Sequence, residues 1–167
     1  MKKYEFTGEV KLWVGKTLHQ IKAVVAFGSV KAGEIGGWIE KEENLAHDGN
    51  AWVYGDARVC GDAQVYGDAL VYGNAWVYGD ARVYGDAHWL GIACIGSRNG
   101  FTTFFRAKGK KIYVSCGCFC GDIDEFEAKV KKTHGDNEHA KAYMLAIELA
   151  KLRIDLSGED NEPPKGE

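Results

Sequence analysis

The sequence predicts a mainly β protein, in which a solenoid of short strands is flanked by N-terminal strands and by a small C-terminal ββαα unit. From Gly49 to Gly96 the chain consists of eight consecutive six-residue units, each with Gly first and Ala third. Val occupies the fifth position in six of these units. A period of six does not match the helical repeat, and Gly with β-branched Val at fixed offsets disfavours a helix. It suits a short strand followed by a tight turn, where Gly with Asp or Asn accepts positive φ.

In these units an aliphatic residue is followed four places later by a small one, as in Val53 with Ala57 and Val59 with Ala63. This pattern resembles the hexapeptide-repeat left-handed β-helix. The resemblance implies a left-handed parallel β-helix in which three six-residue units form one coil, so that equivalent residues recur every 18 positions. Because side chains alternate along a strand, Ala and Val are expected to fill the interior, and the residue between them is expected to face outward.

We expect the solenoid to cover residues 37–100 and residues 1–36 to form short strands that cover its first coil. A bare first coil would be an open sheet edge, which proteins generally cover.

Residues 101–156 predict the ββαα unit. A hairpin is expected around Lys108-Gly109-Lys110. A first helix begins at Asp122, where Glu125 completes a capping box, and ends at Gly135. A second helix is expected from Asp136 to about Leu156. Residues 157–167 are rich in acids and prolines and predict a disordered tail.

Composition excludes several classes of function. The net charge of -3 gives no basic field for nucleic acid. No apolar run is long enough for a signal peptide or a membrane span, and five cysteines, an odd number, indicate reduced thiols rather than a disulfide framework. We therefore expect a cytoplasmic protein without nucleic-acid or membrane partners. The strings GEIGGWIEKEENLAHDGN and GSRNGFTTFF resemble uncharacterised proteins common in phages and prophages, which implies a phage context within a bacterial host but no activity.

The outward positions of the predicted coils carry Tyr, Trp and Arg rather than Lys, Glu and Thr. An aromatic surface of this extent usually marks an interface. It could be covered by the terminal segments, by sister chains, or by a partner or ligand, or its tyrosines could simply be solvated strand residues. The resemblance favours sister chains, because hexapeptide-repeat proteins generally form trimers with parallel axes and bind ligands between subunits.

Arg58 and Trp76 are expected one coil apart in the same outward column. They predict a site for a planar anion such as a nucleotide, with guanidinium on phosphate and indole on base. The competing interpretation is a surface cation–π pair that satisfies itself. Arg82, Arg98 and Arg106 are further candidate anion ligands, and glycine-flanked Arg98 is the best of these.

Three cysteines, Cys116, Cys118 and Cys120, are expected to alternate on one strand and so to face one side. Together with His134 and His139 they match zinc in ligand type. The C-x-C-x-C spacing is unlike common zinc knuckles, however, and we favour cysteines that pack beneath the helices without a metal.

The resemblance also implies one class of enzyme, the hexapeptide-repeat acyltransferases, which use a histidine as general base between subunits. His88 is the only histidine within the eight units and His47 lies just before them. A plain surface histidine is the competing interpretation. No motif for a cofactor or nucleotide loop is present, so no cofactor is expected.

Three hypotheses follow. The preferred one is a non-enzymatic, trimeric binding protein of a phage or prophage, which sequesters a small anionic, nucleotide-like ligand or grips a host protein and so counters host defence. The second is an acyltransferase with His88 or His47 as base. The third is a structural module in which the solenoid presents the end units.

Overall fold

A computed structural model describes residues 1–160, and the protein is mainly β in this range. Thirteen strands and two α-helices occur among these residues. The strands are β1 (Tyr4–Trp13), β2 (Lys16–Ala23), β3 (Ile35–Ile39), β4 (Trp52–Val53), β5 (Arg58–Val59), β6 (Gln64–Val65), β7 (Leu70–Val71), β8 (Trp76–Val77), β9 (Arg82–Val83), β10 (Trp89–Ile95), β11 (Gly100–Ala107), β12 (Lys111–Cys116) and β13 (Phe119–Asp122). The helices are α1 (Ile123–His134) and α2 (Glu138–Arg153).

The six short strands β4 to β9 form the solenoid. Parallel pairs join β4 to β7, β5 to β8 and β6 to β9. In each pair the partners are 18 residues apart, as Trp52 is from Leu70. The predicted eighteen-residue coil is therefore confirmed. The interior also matches the prediction, since the Ala and Val of these six units are fully buried in one cluster.

Glycine at the corners lets neighbouring coils approach closely. Gly49 has φ +67°, and a Cβ atom there would lie 2.5 Å from the carbonyl oxygen of Gly67, one coil along. A side chain at this corner would therefore force the coils apart as well as strain the backbone.

The N-terminal strands extend one side of the solenoid. β1 pairs antiparallel with β2, β2 pairs antiparallel with β3, and β3 pairs parallel with β5. This sheet continues to β8. The cover over the first coil is fastened by Lys3, whose ammonium group donates to the carbonyl oxygens of Ala51 (2.8 Å), Asp48 and Gly49. Burial lowers the pKa of Lys3 to about 8.

The last two six-residue units leave the solenoid, although the repeat pattern predicted that it would continue to residue 100. Asp86–His88 forms a short 3-10 turn, and Trp89–Ile95 forms β10, which pairs antiparallel with β11. Trp89 stands where the earlier units have Val, and an indole is too large for the narrow interior. It lies across the end of the solenoid instead, where its Nε1 donates to the carbonyl oxygen of Leu70 (2.9 Å).

The C-terminal unit is an antiparallel sheet in the order β10-β11-β12-β13 with both helices packed against it. The predicted hairpin is confirmed, because Ala107 pairs with Lys111. α1 has the predicted capping box, in which Asp122 accepts from the Glu125 amide and Glu125 accepts from the Asp122 amide. α2 is capped by Asn137 rather than by the predicted Asp136.

This sheet also closes the last coil. The Thr103 hydroxyl accepts from the Trp76 amide (3.1 Å), and the Ser115 hydroxyl donates to the Trp76 carbonyl (2.8 Å). The Lys108 amide donates to the Asp80 carbonyl (3.1 Å). Two side-chain hydroxyls and one backbone amide of the hairpin thus take the place that the backbone of a further coil would fill.

Part of the predicted tail is in contact with the body of the protein. Arg106 donates to the carbonyl oxygens of Asp155 (3.1 Å) and Ser157 (2.6 Å) and to the carboxylate of Asp160 (3.3 Å). Residues 157–160 therefore lie against the end of the solenoid. The disorder predicted for the remainder falls on residues 161–167, which lie outside the described residues.

Within residues 1–160, neither helix has the length and apolar character needed to cross a bilayer.

Thr103→Val should lower the free energy of unfolding by about 1–3 kcal/mol, because the buried Trp76 amide would lose its acceptor. Thr17→Val, on an exposed position of β2, is the matched control and should change stability by less than about 0.5 kcal/mol. Urea unfolding of the three proteins measures both values. Equal stability of the Thr103 variant and the parent would show that this bond does not close the last coil.

Candidate functional site

Most of the outward aromatic columns are covered by the chain's own ends. Trp52 is fully buried beneath Phe27 and Tyr4, at centroid distances of 5.4 and 6.2 Å. Trp76 is 8% exposed. Tyr72, at 58%, remains open to solvent. Of the four explanations weighed from the sequence, the terminal segments therefore account for the larger part of this surface.

Arg58 and Trp76 are neighbours in adjacent coils, as predicted, but they do not form an open anion site. The guanidinium of Arg58 lies 4.0 Å from the ring centre of Trp13, and Trp13 also meets Trp76 edge to face at 5.8 Å. The indole nitrogen of Trp76 donates to the sulfur of Cys60 (3.2 Å). The predicted stacking platform is wrong for Trp76, because the N-terminal hairpin occupies the face that a base would need.

Two further arginines donate hydrogen bonds to backbone carbonyl groups. Arg82 donates to the carbonyl oxygens of Asp62 (3.0 Å) and Ala81 (2.9 Å). Arg106 is fully buried and its guanidinium is directed at residues 155–160. Assigning Arg106 to an external ligand is therefore wrong, since no ligand can reach it without unfolding the segment that it holds.

Neither candidate histidine offers a free basic nitrogen. His88 was predicted to face outward, but it is 5% exposed and its Nδ1 accepts from the Tyr84 amide (3.3 Å). It belongs to a short 3-10 turn, Asp86–His88, rather than to a coil strand. His47 likewise accepts at Nδ1 from the Lys3 amide (3.3 Å), and its Nε2 is buried 3.9 Å from the Glu42 carboxylate.

The three cysteines do not share one face of a strand. β12 ends at Cys116, Gly117 has φ +58°, and β13 begins at Phe119, so a turn separates them. Cys120 pairs with Ser115 on the opposite strand, and Cys118 is exposed at the turn. Among residues 1–160, no group of three or more His, Cys, Asp or Glu side chains is placed to hold a metal ion.

Some of these residues nevertheless meet around one cleft. It has a volume of about 260 Å³ and lies between the sheet of the C-terminal unit and α1. Arg98, Lys129 and His134 lie at its edge. Its floor is apolar and is formed by Ile95, Phe119, Phe126 and Val130. The best of the predicted anion ligands and part of the predicted metal cluster therefore line the same cavity.

The inner end of this cleft is polar. The Tyr143 hydroxyl lies 3.5 Å from the sulfur of Cys116, which also accepts from the Thr102 hydroxyl (3.1 Å). Burial, reinforced by Cys116, raises the pKa of Tyr143 above its usual range. Gly96 leaves room for this hydroxyl, because a Cβ atom there would collide with it. The phenol is thus a neutral hydrogen-bonding group at neutral pH.

The cleft combines cationic side chains at its edge with an apolar floor and a neutral hydroxyl. Such a combination suits a small ligand that has an anionic group and a flat or aliphatic body. Sequence reasoning identified Arg98 and His134 but missed Lys129 and Tyr143. The signal was available in part, since Phe126, Lys129 and Val130 fall at helical spacing on one side of α1.

A larger groove of about 650 Å³ lies on another side of the molecule. It contains His47 and Tyr66, together with the acidic residues Glu42, Glu43 and Asp48. Its charge disfavours an anion. Burial lowers the pKa of His47, so its imidazole is neutral at neutral pH and does not offset these carboxylates.

Together, the coil spacing and the buried Ala–Val interior define a β-solenoid repeat protein. A family model described as the YdcK beta solenoid repeat matches residues 63–79. Over 37 residues the chain is also 51% identical to a protein of Escherichia coli K12 named "Uncharacterized acetyltransferase YdcK". This segment is 22% of the chain and only 11% of that relative. The likeness therefore supports the repeat architecture and covers a small part of either protein.

Arg106→Met should lower the free energy of unfolding by about 3 kcal/mol, because residues 155–160 would lose the donors that hold them. Arg98→Met is the control, since Arg98 is exposed, and should change stability by less than about 0.5 kcal/mol. Urea unfolding measures the two differences. Two equal losses would contradict the structural role assigned to Arg106.

Stability should fall as pH drops below about 6.5, because burial lowers the pKa of His88 and nearby Arg106 lowers it further, against the opposing effect of Asp155. The unfolded chain then binds protons that the folded protein excludes, so this contribution is complete above about pH 6.5 and lost below it. His88→Asn retains an acceptor for the Tyr84 amide but cannot titrate. When the pH is lowered from about 7.5 to about 5.5, the melting temperature of this variant should fall by less than that of the parent. Identical losses would exclude His88 as a source of the pH dependence.

Proposed function

We propose that the protein is a non-enzymatic binding protein that holds a small anionic ligand in the cleft between the C-terminal sheet and α1. The observation that carries this proposal is the cleft itself, in which Arg98 and Lys129 stand above an apolar floor. The solenoid serves as the rigid base on which this unit is built.

The shape of the cleft narrows the class of ligand. A volume of about 260 Å³ is close to the lower end of small-molecule sites. It suits a base-sized or acyl-sized group that lies on Phe119 and Phe126 and has its phosphate or carboxylate at the edge. Within this class we favour a nucleotide, because an aromatic floor beneath a cationic edge suits both of its parts.

Acyl transfer is the second candidate function. It is favoured by the segment that is 51% identical to a protein named as an acetyltransferase. Against it stands the geometry of His47 and His88, each of which accepts a backbone amide at Nδ1. A general base needs an accessible lone pair, and each histidine uses its own for a bond within the fold. Ligand binding without turnover therefore remains the preferred function.

Several properties rest on the resemblance to hexapeptide-repeat and phage proteins alone. These are the left-handed winding of the coils, the homotrimer, and the origin in a phage or prophage with a role against host defence. The cytoplasmic location rests instead on the five cysteines and on the absence of a long apolar run. We retain them as proposals. Because of the proposed role against host defence, nucleotides of host signalling are the first ligands to be tested.

Ligand binding is tested by melting temperature in the presence of cyclic, ADP-ribose-type and adenine nucleotides, with acetyl-CoA as a separate sample. A ligand of the folded state raises the melting temperature as its concentration exceeds Kd. We expect at least one nucleotide to do so, and Arg98→Ala and Lys129→Ala each to weaken its binding about tenfold.

Lys132→Ala is the matched control, because Lys132 is exposed on α1 outside the cleft. Its affinity should equal that of the parent. Acetyl transfer from acetyl-CoA that is abolished by His47→Ala would instead support the enzyme. Failure of every nucleotide to shift the melting temperature, or equal weakening by all three variants, would overturn the proposed site.

A further inference from the structure

Helix α2 is apolar on two faces, and within residues 1–160 only one of them is packed against other elements. Its buried residues, which include Tyr143, Ile147 and Ala150, pack against the sheet and α1. On another face Leu145 is 72% exposed, Leu149 is 42% exposed and Leu152 is 83% exposed. Single exposed leucines are ordinary, but three on one helix face form a continuous apolar stripe.

The spacing of this leucine stripe (Leu145, Leu149 and Leu152) is that of a helix that packs on another helix. The intervals are four and three residues, which are the a and d intervals of a heptad repeat. Ala142 lies three residues before Leu145 and continues the pattern with a small side chain. The stripe therefore has the period expected for knobs-into-holes packing.

Charged residues flank the stripe at complementary positions. With Leu145 and Leu152 at d positions, Glu148 falls at g and Arg153 at e. In a parallel pair of helices the g residue of one chain meets the e residue of the next heptad in the other, five residues further on. Glu148 and Arg153 are five residues apart and opposite in charge. Two copies of α2 placed side by side in parallel would thus form two such ion pairs.

The described part of the tail does not cover this face. After α2 the chain turns towards the end of the solenoid, where the Asp155 amide donates to the Ala87 carbonyl (2.8 Å). Residues 155–160 then continue to Arg106. The three leucines of the stripe remain exposed, and so do Glu148 and Arg153 beside them.

We infer that α2 is a self-association helix, which packs its leucine stripe in parallel against α2 of a second copy of this chain. Glu148 of each copy pairs with Arg153 of the other. The surface is self-complementary, because one helix provides both halves of each ion pair, so parallel copies associate through it around a two-fold axis and equally around the three-fold axis of the proposed homotrimer. This inference is independent of the ligand cleft, so either one can fail alone.

The test is the molar mass in solution, measured by light scattering and sedimentation at up to about 100 µM, because an interface of one helix per chain falls in the weak class. We expect the parent to show a multiple of 18.4 kDa that decreases on dilution. Leu149→Lys should give the monomer. Glu148→Arg and Arg153→Glu should each raise the dissociation constant about tenfold, since attraction becomes repulsion.

The double variant Glu148→Arg/Arg153→Glu should restore association, because it exchanges the two charges without changing their complementarity. Leu12→Lys is the control, since Leu12 is 75% exposed on the N-terminal hairpin, far from α2 in sequence. Circular dichroism confirms that each variant is folded. A parent that stays monomeric, association that survives Leu149→Lys, capture of a different protein in place of a second copy, or a double variant that is not restored would each overturn the inference.

Discussion

A β-solenoid has two ends at which strand backbone has no further coil to pair with, and the rest of this structure depends on how those groups are hydrogen-bonded. Lys3 donates to three carbonyl oxygens at the first end. Arg106 lies at the other end and fixes the segment that follows α2. Buried cations are costly unless their donors are satisfied. At the first end, Lys3 bonds unpaired carbonyls of the coil and so satisfies both groups. At the other end, Arg106 donates instead to carbonyls of the segment after α2 and to the carboxylate of Asp160.

The two terminal units follow from the same requirement. Thr103 and Ser115 provide side-chain oxygens where a next coil would provide backbone. The two strands that carry them, β11 and β12, then need their own cover, which the helices supply. The cleft between sheet and α1 exists because this closure is a separate layer rather than a continuation of the solenoid.

The local features could be predicted from the sequence because they depend on neighbouring residues. The six-residue period follows from the spacing of Val and Ala, and the start of α1 follows from Asp122 and Glu125. The length of a coil, three such units, was implied by the resemblance to hexapeptide-repeat proteins. The segments that cover the outward positions of the coils could not be predicted in the same way. Trp13 contacts Arg58 and Phe27 contacts Trp52 although each pair is distant in sequence, and an outward position in a strand does not reveal which distant segment lies on it. Trp89 could have signalled the end of the solenoid, since no earlier unit has an indole at its fifth position.

The candidate site also contains some residues that the sequence could identify and others whose role depends on distant contacts. Arg98 was identified because glycines flank it. The place of Tyr143 in the cleft depends on the packing of α2 on the sheet, which the sequence alone does not reveal. Cys116 and Cys120 were misplaced because a turn at Gly117 reverses the chain between them, and a C-x-C-x-C string is equally compatible with a straight strand. The residues that line the cleft come from strands β10 to β13 and from both helices, so their proximity is a property of the tertiary fold.

The coils are interchangeable in a way that the two end units are not. Each coil presents the same hydrogen-bonding pattern above and below, 18 residues apart in sequence. Lengthening or shortening the chain by whole coils would leave both end units with unchanged contacts and would move them apart or together in steps of about 4.8 Å. The number of repeats therefore sets the distance between the two end units, and the strand spacing is the smallest step by which that distance can change.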